Sequence, residues 1–146
     1  MIHLFWKGDQ ARLSLDFAGP KLSDRGYRRE PGKAPLRETT AAAILMETGY
    51  DGSRPLVVPM CGSGTIAIEA ALMATGRAPG LLRSNFGLKH LVTFDESAWK
   101  QERAEAKKLR TDTPPAPIVV SDIDPVAVDA ARRNAVTAGV DQFLEF

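Results

Sequence analysis

A doubly wound α/β sheet of parallel strands, broken off before its later strands, is the fold the sequence predicts, and three observations predict it. Pro55 to Thr65 runs from the apolar stretch Leu56-Val57-Val58 through a Gly62-Ser63-Gly64 turn straight into the apolar helical stretch Ile66 to Thr75, the pattern of a parallel strand, a tight loop and a buried helix. Ile118-Val119-Val120 is a second buried-strand run, and Ser121-Asp122-Ile123-Asp124-Pro125 leads it into another helix. Phe143 to Phe146 reads as the onset of a third strand. Strand, helix, strand, helix, strand onset is the doubly wound order.

Taken in order, Ile2 to Trp6 and Ala11 to Phe17 flank Lys7-Gly8-Asp9-Gln10, with Leu13 and Leu15 alternating against Ser14 and Asp16. They predict a β-hairpin, which at this size is marginal alone and is expected to pack on something else. Gly19 to Lys33 is loop, and Lys21, Arg25, Arg28, Arg29, Lys33 and Arg37 gather around Tyr27 as a local basic patch. Pro35 to Gly49 predicts a helix, with Pro35 near its start, Leu36, Ala43, Ile44 and Leu45 as its apolar face, and Gly49 as its stop. A helix from Thr65 to Gly76 follows the glycine turn, and Ala78 to His90 is irregular. Ser97 to Leu109 predicts a solvated amphipathic helix capped by Ser97, with Trp99 as packing. In the last helix Asp124 caps, Pro125 takes the first position, Val126, Ala130, Ala131, Ala135 and Val136 line one side, and Gly139 closes. Residues 1–33 are thus expected to lead, as hairpin and basic loop, into a domain over 34–146.

The 146 residues suffice for one domain with a real core. Nineteen Lys and Arg against eighteen Asp and Glu leave a net charge of +1, so no global field favours nucleic acid or a membrane surface, and any such contact must come from a local cluster. The single Cys61 excludes an internal disulfide and a multi-cysteine zinc site, and with only His3 and His90 no metal site is expected. Cysteine usage fits a reducing cytoplasm, and no apolar window approaches a membrane span.

Glycines at i and i+2 let backbone approach a ligand without a Cβ in the way, and the helix starting there points free N–H groups at it. Gly62-Ser63-Gly64-Thr65-Ile66-Ala67 matches G-x-G-x-x-A, yet the first acid at a strand end is Asp122, far beyond the spacing of a dinucleotide site. The loop also lacks the Lys-Ser/Thr ending that holds a triphosphate.

Val58-Pro59-Met60-Cys61-Gly62-Ser63-Gly64-Thr65 is preceded by Arg25-Gly26-Tyr27-Arg28 and Ala34-Pro35-Leu36-Arg37-Glu38-Thr39, and followed by Ser121-Asp122-Ile123-Asp124-Pro125, Asn134-Ala135 and Ala138-Gly139. In that order, from Leu13-Ser14-Leu15-Asp16 to Gly139, the chain resembles the THUMP-containing class I RNA guanine-N2 methyltransferases. The resemblance implies a truncated Rossmann-like class I methyltransferase fold with an N-terminal β-hairpin, S-adenosyl-L-methionine as cofactor, and structured RNA, ribosomal or transfer, as substrate. It places Thr39, Pro59, Cys61, Gly62, Ser63, Gly64, Thr65, Asp122 and Ile123 at the cofactor, with Asp122 accepting the ribose hydroxyls and Asp124 capping its helix. Arg25, Arg28, Arg29 and Lys33 become RNA-contact candidates. The family usually carries an aspartate where this chain has Val58, and its catalytic Asn-Pro-Pro-Tyr-type motif is expected beyond Phe146, so this part is expected to be inactive alone. Two other readings stay open: a DNA adenine or cytosine methyltransferase of the same fold, and a non-catalytic RNA-binding module.

Overall fold

The computed structural model describes residues 2–32 and 34–146. β1 (Ile2–Lys7) and β2 (Gln10–Leu15) pair antiparallel about a turn at Gly8, whose φ is +60°. The register sets Ile2 opposite Leu15, Leu4 opposite Leu13 and Trp6 opposite Ala11, an apolar ladder along one face. Every residue of both strands is exposed.

The second sheet carries the rest of the fold. β3 (Leu56–Val58) and β4 (Ile118–Val120) are adjacent and parallel, with Leu56, Val57 and Val58 in register with Ile118, Val119 and Val120. On the opposite edge of β4, Val119 bridges Glu145 in parallel, which makes the chain's last residues the onset of a third strand. In β4 Ile118 and Val120 are buried and Val119 is half-buried, whereas in β3 Val58 is buried and Val57 is exposed, so the apolar run of β3 is covered on one face only.

Among the described residues four α-helices accompany these strands: α1 (Glu38–Glu47), α2 (Thr65–Ala74), α3 (Glu96–Lys108) and α4 (Pro125–Ala138). α2 connects the tip of β3 into the core and is nearly all buried, packed against α1, α4 and β4. α4 comes close at the start of α2, where a Cβ on Gly64 would stand 2.8 Å from that of Ala131. None of the helices among the described residues is long and apolar enough to cross a membrane.

The structure corrects three helix expectations. α1 starts at Glu38 rather than Pro35, because Arg37 stays extended at ψ 140°, and its buried face is Glu38, Ala41, Ala42 and Leu45, leaving Ile44 exposed. Arg28 holds that extended lead-in by donating to the Leu36 carbonyl and pairing with Glu38 at 3.3 Å. α3 is capped by Asp95, whose carboxylate accepts from the amides of Ser97 (2.8 Å) and Ala98 (3.0 Å), while the Ser97 hydroxyl donates to it. A carboxylate answers the positive end of the helix better than a hydroxyl does. α4 buries Ala130, Ala131, Asn134, Ala135 and Ala138, whereas Val126 and Val136, expected on that face, are exposed. Asp124 does cap α4, accepting the Val126 amide at 2.9 Å, and Gly139 closes it in the left-handed conformation.

Gly62 and Gly64 both have positive φ (+52° and +85°), but only Gly64 has no room for a side chain. Gly62→Ala should therefore cost about 1–2 kcal/mol from the left-handed backbone alone. Gly64→Ala should cost a further ~1–3 kcal/mol from overpacking against Ala131. Urea denaturation of the two variants measures the difference, and equal midpoints would refute the α2–α4 contact as its cause.

Candidate functional site

The tips of β3 and β4 are laced together beyond the last paired residues. Ser121 N–H donates to the Val58 carbonyl and Cys61 N–H to the Ser121 carbonyl, both at 3.0 Å. Asp122 continues this joint: its Oδ2 accepts the Gly62 amide at 2.9 Å and its Oδ1 the Asp124 amide at 3.1 Å. The amides of Asp124 and Gly62 hold its carboxyl below the usual carboxylate range. Each carboxylate oxygen keeps a second lone pair, so the group is ionised, anchored and still able to accept two more donors.

A cleft of about 530 Å³ opens beside this joint, within the size range of small-molecule sites. One wall is the lead-in loop to α1, with Glu30, Pro35 and Leu36; the other is the glycine loop, with Cys61, Gly62, Ser63 and Thr65; α4 supplies Ala127, Ala130 and Arg133. A Cβ at Gly62 would meet nothing within 4 Å, so its backbone faces open space. A nucleoside-bearing cofactor suits what is here: bare backbone at a glycine loop and an apolar floor in the cleft, and beside it, outside the lining, the Asp122 carboxylate fixed on Gly62 for a diol.

Of the residues expected at a cofactor, Cys61, Gly62, Ser63 and Thr65 line the cleft, and Asp122 joins it through Gly62. Gly64 faces α4 instead. Thr39 and Pro59 are exposed and outside the lining, and Ile123 is fully exposed next to Asp122. Val58 is buried in the core, so at this position the chain provides packing rather than a polar group. Burial, then the nearby Asp122, pushes the Cys61 thiol above its ordinary range, which disfavours the thiolate and slows its reaction with electrophiles.

The basic loop is only in part the free patch its composition suggests: Lys21, Arg29 and Arg37 are exposed, but Arg25 and Arg28 are engaged within the fold. Arg25 donates from Nε and Nη2 to the two carboxylate oxygens of Glu69, each at 3.1 Å, and the Tyr27 hydroxyl donates to the same carboxylate at 3.1 Å. Glu69 is 2 % exposed and Tyr27 1 %. Arg28 pairs with Glu38 and donates to Thr65 Oγ1 at 3.0 Å. The guanidinium groups of Arg25 and Arg28 thus pin the loop onto α1 and α2, and Arg29 is the exposed cation of the expected set. Lys33 lies outside the described residues.

Two residues central to this arrangement have no role in the sequence reading: Glu69 is not singled out there, and Asn134 stands only within a motif of the family resemblance. Glu69 is a single acid inside the apolar run Ile66 to Ala74, a signal that marks a buried, paired carboxylate. Asn134 sits on the alanine stripe of α4 and is fully buried. An amide on an apolar helical stripe is the corresponding flag.

Two parallel strands with adjacent tips, one carrying a glycine loop and the other an acid, each followed by a helix, define the nucleotide-binding half of a Rossmann-like fold. The chain belongs to the UPF0020 family, the RMKL-like methyltransferase domain, which matches residues 25–146. Among curated relatives it is similar to the ribosomal RNA large subunit methyltransferase K/L of Vibrio campbellii, 43% identical over 99% of this chain, and to that of Photobacterium profundum, 42% identical over 99%. It spans 21% of each of those relatives. Among solved structures it is similar to a possible methylase from Clostridium difficile, with 40% identity and a TM-score of 0.87, and to a predicted N6-adenine-specific DNA methylase from Listeria monocytogenes, with 37% and 0.88. A third, described as a methyltransferase and complexed with SAH, is 35% identical with a TM-score of 0.88. Each solved match covers 99% of this chain and 37% or 38% of the other.

Burial pushes the Glu69 carboxyl above its ordinary range, against the pull of Arg25 and Tyr27. Arg25→Ala should cost about 3–5 kcal/mol near neutral pH, because it leaves a buried carboxylate without its counter-charge. Without Arg25 the folded-state pKa of Glu69 rises further above its unfolded value, so the folded state binds the extra proton and the deficit should narrow as pH falls. Urea denaturation at neutral pH and near pH 5 checks both; a deficit independent of pH would refute the assignment.

Proposed function

We propose that this chain is the cofactor-holding part of a methyltransferase that uses S-adenosyl-L-methionine to methylate guanine N2 in ribosomal RNA, and that it is inactive alone. The observation carrying this reading is the Asp122–Gly62 joint, whose Gly62 lines the cleft, together with membership of the RMKL-like methyltransferase family. In this reading the free lone pairs of Asp122 accept the ribose hydroxyls, Ile123 offers an apolar surface to the adenine, and the bare backbone at Gly62 and Ser63 borders the amino-acid end. The bound sulfonium supplies an electrophilic methyl group. Such a transfer is an in-line displacement, so the chain's contribution is to hold the cofactor still and shield it from water. An RNA substrate places the enzyme in the cytoplasm with the ribosome, and Arg29 is the described cation proposed to meet its backbone.

The rRNA substrate rests on the two curated relatives, whose names state it. DNA adenine is the second reading, favoured by the description of the Listeria chain. Methyl transfer from labelled cofactor to rRNA and to duplex DNA, assayed with the full-length protein, separates them.

Asp122→Ala should weaken binding of S-adenosylhomocysteine (SAH) by about a hundredfold or more, since two hydrogen bonds to a charged acceptor are lost, each worth about 1.5–3 kcal/mol. Asp124→Ala should remove the α4 cap at a cost of about 1 kcal/mol in stability and leave affinity within about threefold. Calorimetric titration of the full-length protein reads both, and the reverse order of affinities would mean that ligand and cap have been exchanged.

A further inference from the structure

We propose that Asn134 is a positioning residue for the cleft, setting its width by tying the lead-in loop to the glycine loop; this rests on the cofactor reading above. The side chain, 0 % exposed, projects from α4 and uses its whole bonding capacity. Oδ1 accepts the amides of Arg29 at 2.9 Å and Glu30 at 3.0 Å. Nδ2 donates to the Glu30 carbonyl at 2.9 Å and to the Ser63 carbonyl at 3.0 Å. The orientation of the amide follows from chemistry: two N–H groups on one side require the oxygen there, and two carbonyls on the other require the nitrogen.

Glu30 and Ser63 lie on opposite walls of the cleft, and α4 contributes its floor, so one buried amide joins all three. Arg28 braces the same two walls elsewhere, from the Leu36 carbonyl to Thr65 Oγ1. Arg133 adds only an exposed pair to Glu30, at 3.5 Å. A loop held by its backbone in this way is preorganised before the ligand arrives, which lowers the ordering cost of binding. Asn134 touches no lining surface itself and acts through the loops it holds. Aspartate in its place keeps the shape and both accepting contacts but loses both donations, including the one to Ser63.

The test compares full-length wild type with Asn134→Asp, Asn134→Ala and Thr75→Ala. Thr75 is a control: its buried hydroxyl donates to the Ala71 carbonyl at 2.6 Å at the far end of α2. Three quantities are measured: SAH affinity by calorimetry, the thermal midpoint, and the rate of Cys61 alkylation by iodoacetamide, followed by peptide mass spectrometry. Cys61 is buried in the glycine loop and reports its loosening directly. Asn134→Asp and Asn134→Ala are expected to weaken SAH at least tenfold and to speed alkylation at least fivefold. Thr75→Ala should lower the midpoint and change neither. Where a buried aspartate prevents folding, Asn134→Ala, which admits water, decides. Affinity within twofold of wild type, or Thr75→Ala losing affinity in the same proportion to its midpoint, would overturn the proposal. Should wild type itself fail to bind SAH, the cofactor reading falls. The alkylation rates then decide the bracing alone: a selective rise supports it and no rise refutes it.

Discussion

The hydrogen bond from the Gly62 amide to the Asp122 carboxylate is the joint on which the rest depends. It exists only because β3 and β4 are adjacent and parallel, so that both carboxyl ends point the same way. A doubly wound sheet gathers its ligands at that end, where loops leave the strands and helices begin. Here the joint does structural work as well: one carboxylate closes the glycine loop and, through the Asp124 amide, orders the start of α4. The cleft is therefore assembled from pieces that hold one another before any ligand enters.

Around the joint, polar side chains are buried for the same end. The loop before α1 has little regular structure of its own, and its position is set by Tyr27, Arg25 and Arg28 inserting among α1 and α2, and by Asn134 gripping its backbone. Burying carboxylates and guanidinium groups is costly unless each finds its partner. Glu69 meets this by accepting from both Arg25 and Tyr27, and Glu38 by facing Arg28. The near-neutral charge of the whole chain conceals this arrangement, since paired groups cancel in the sum while fixing a wall of the cleft.

How much was legible in the sequence depended on the distance over which each feature is decided. The strand–glycine loop–helix unit at 55–75, the Asp124 cap with Pro125, the Gly139 stop and the hairpin are written in neighbouring residues, and they stand as read. Helix starts and faces were less legible: Arg28 holds the extended lead-in ahead of α1, which starts at Glu38, and of the expected face only Leu45 is buried, beside Glu38, Ala41 and Ala42, while Ala43 and Ile44 are exposed. Glu69 was visible only as a polar residue on an apolar stripe, and Asn134 as that and as part of a family motif without a role, with nothing nearby to say what either binds.

By itself, then, the sequence determined the local elements, because backbone propensity, capping and hydrophobic period act over a few residues, while the pairing of the glycine loop with Asp122 was implied only by the family resemblance. The tertiary structure alone decided which charges are free. Arg25 meets a carboxylate 44 positions away, and Asn134 reaches back 104 and 105 positions to Glu30 and Arg29. No local pattern encodes such partners, since only folding brings them within bonding distance and removes the water that would otherwise satisfy them.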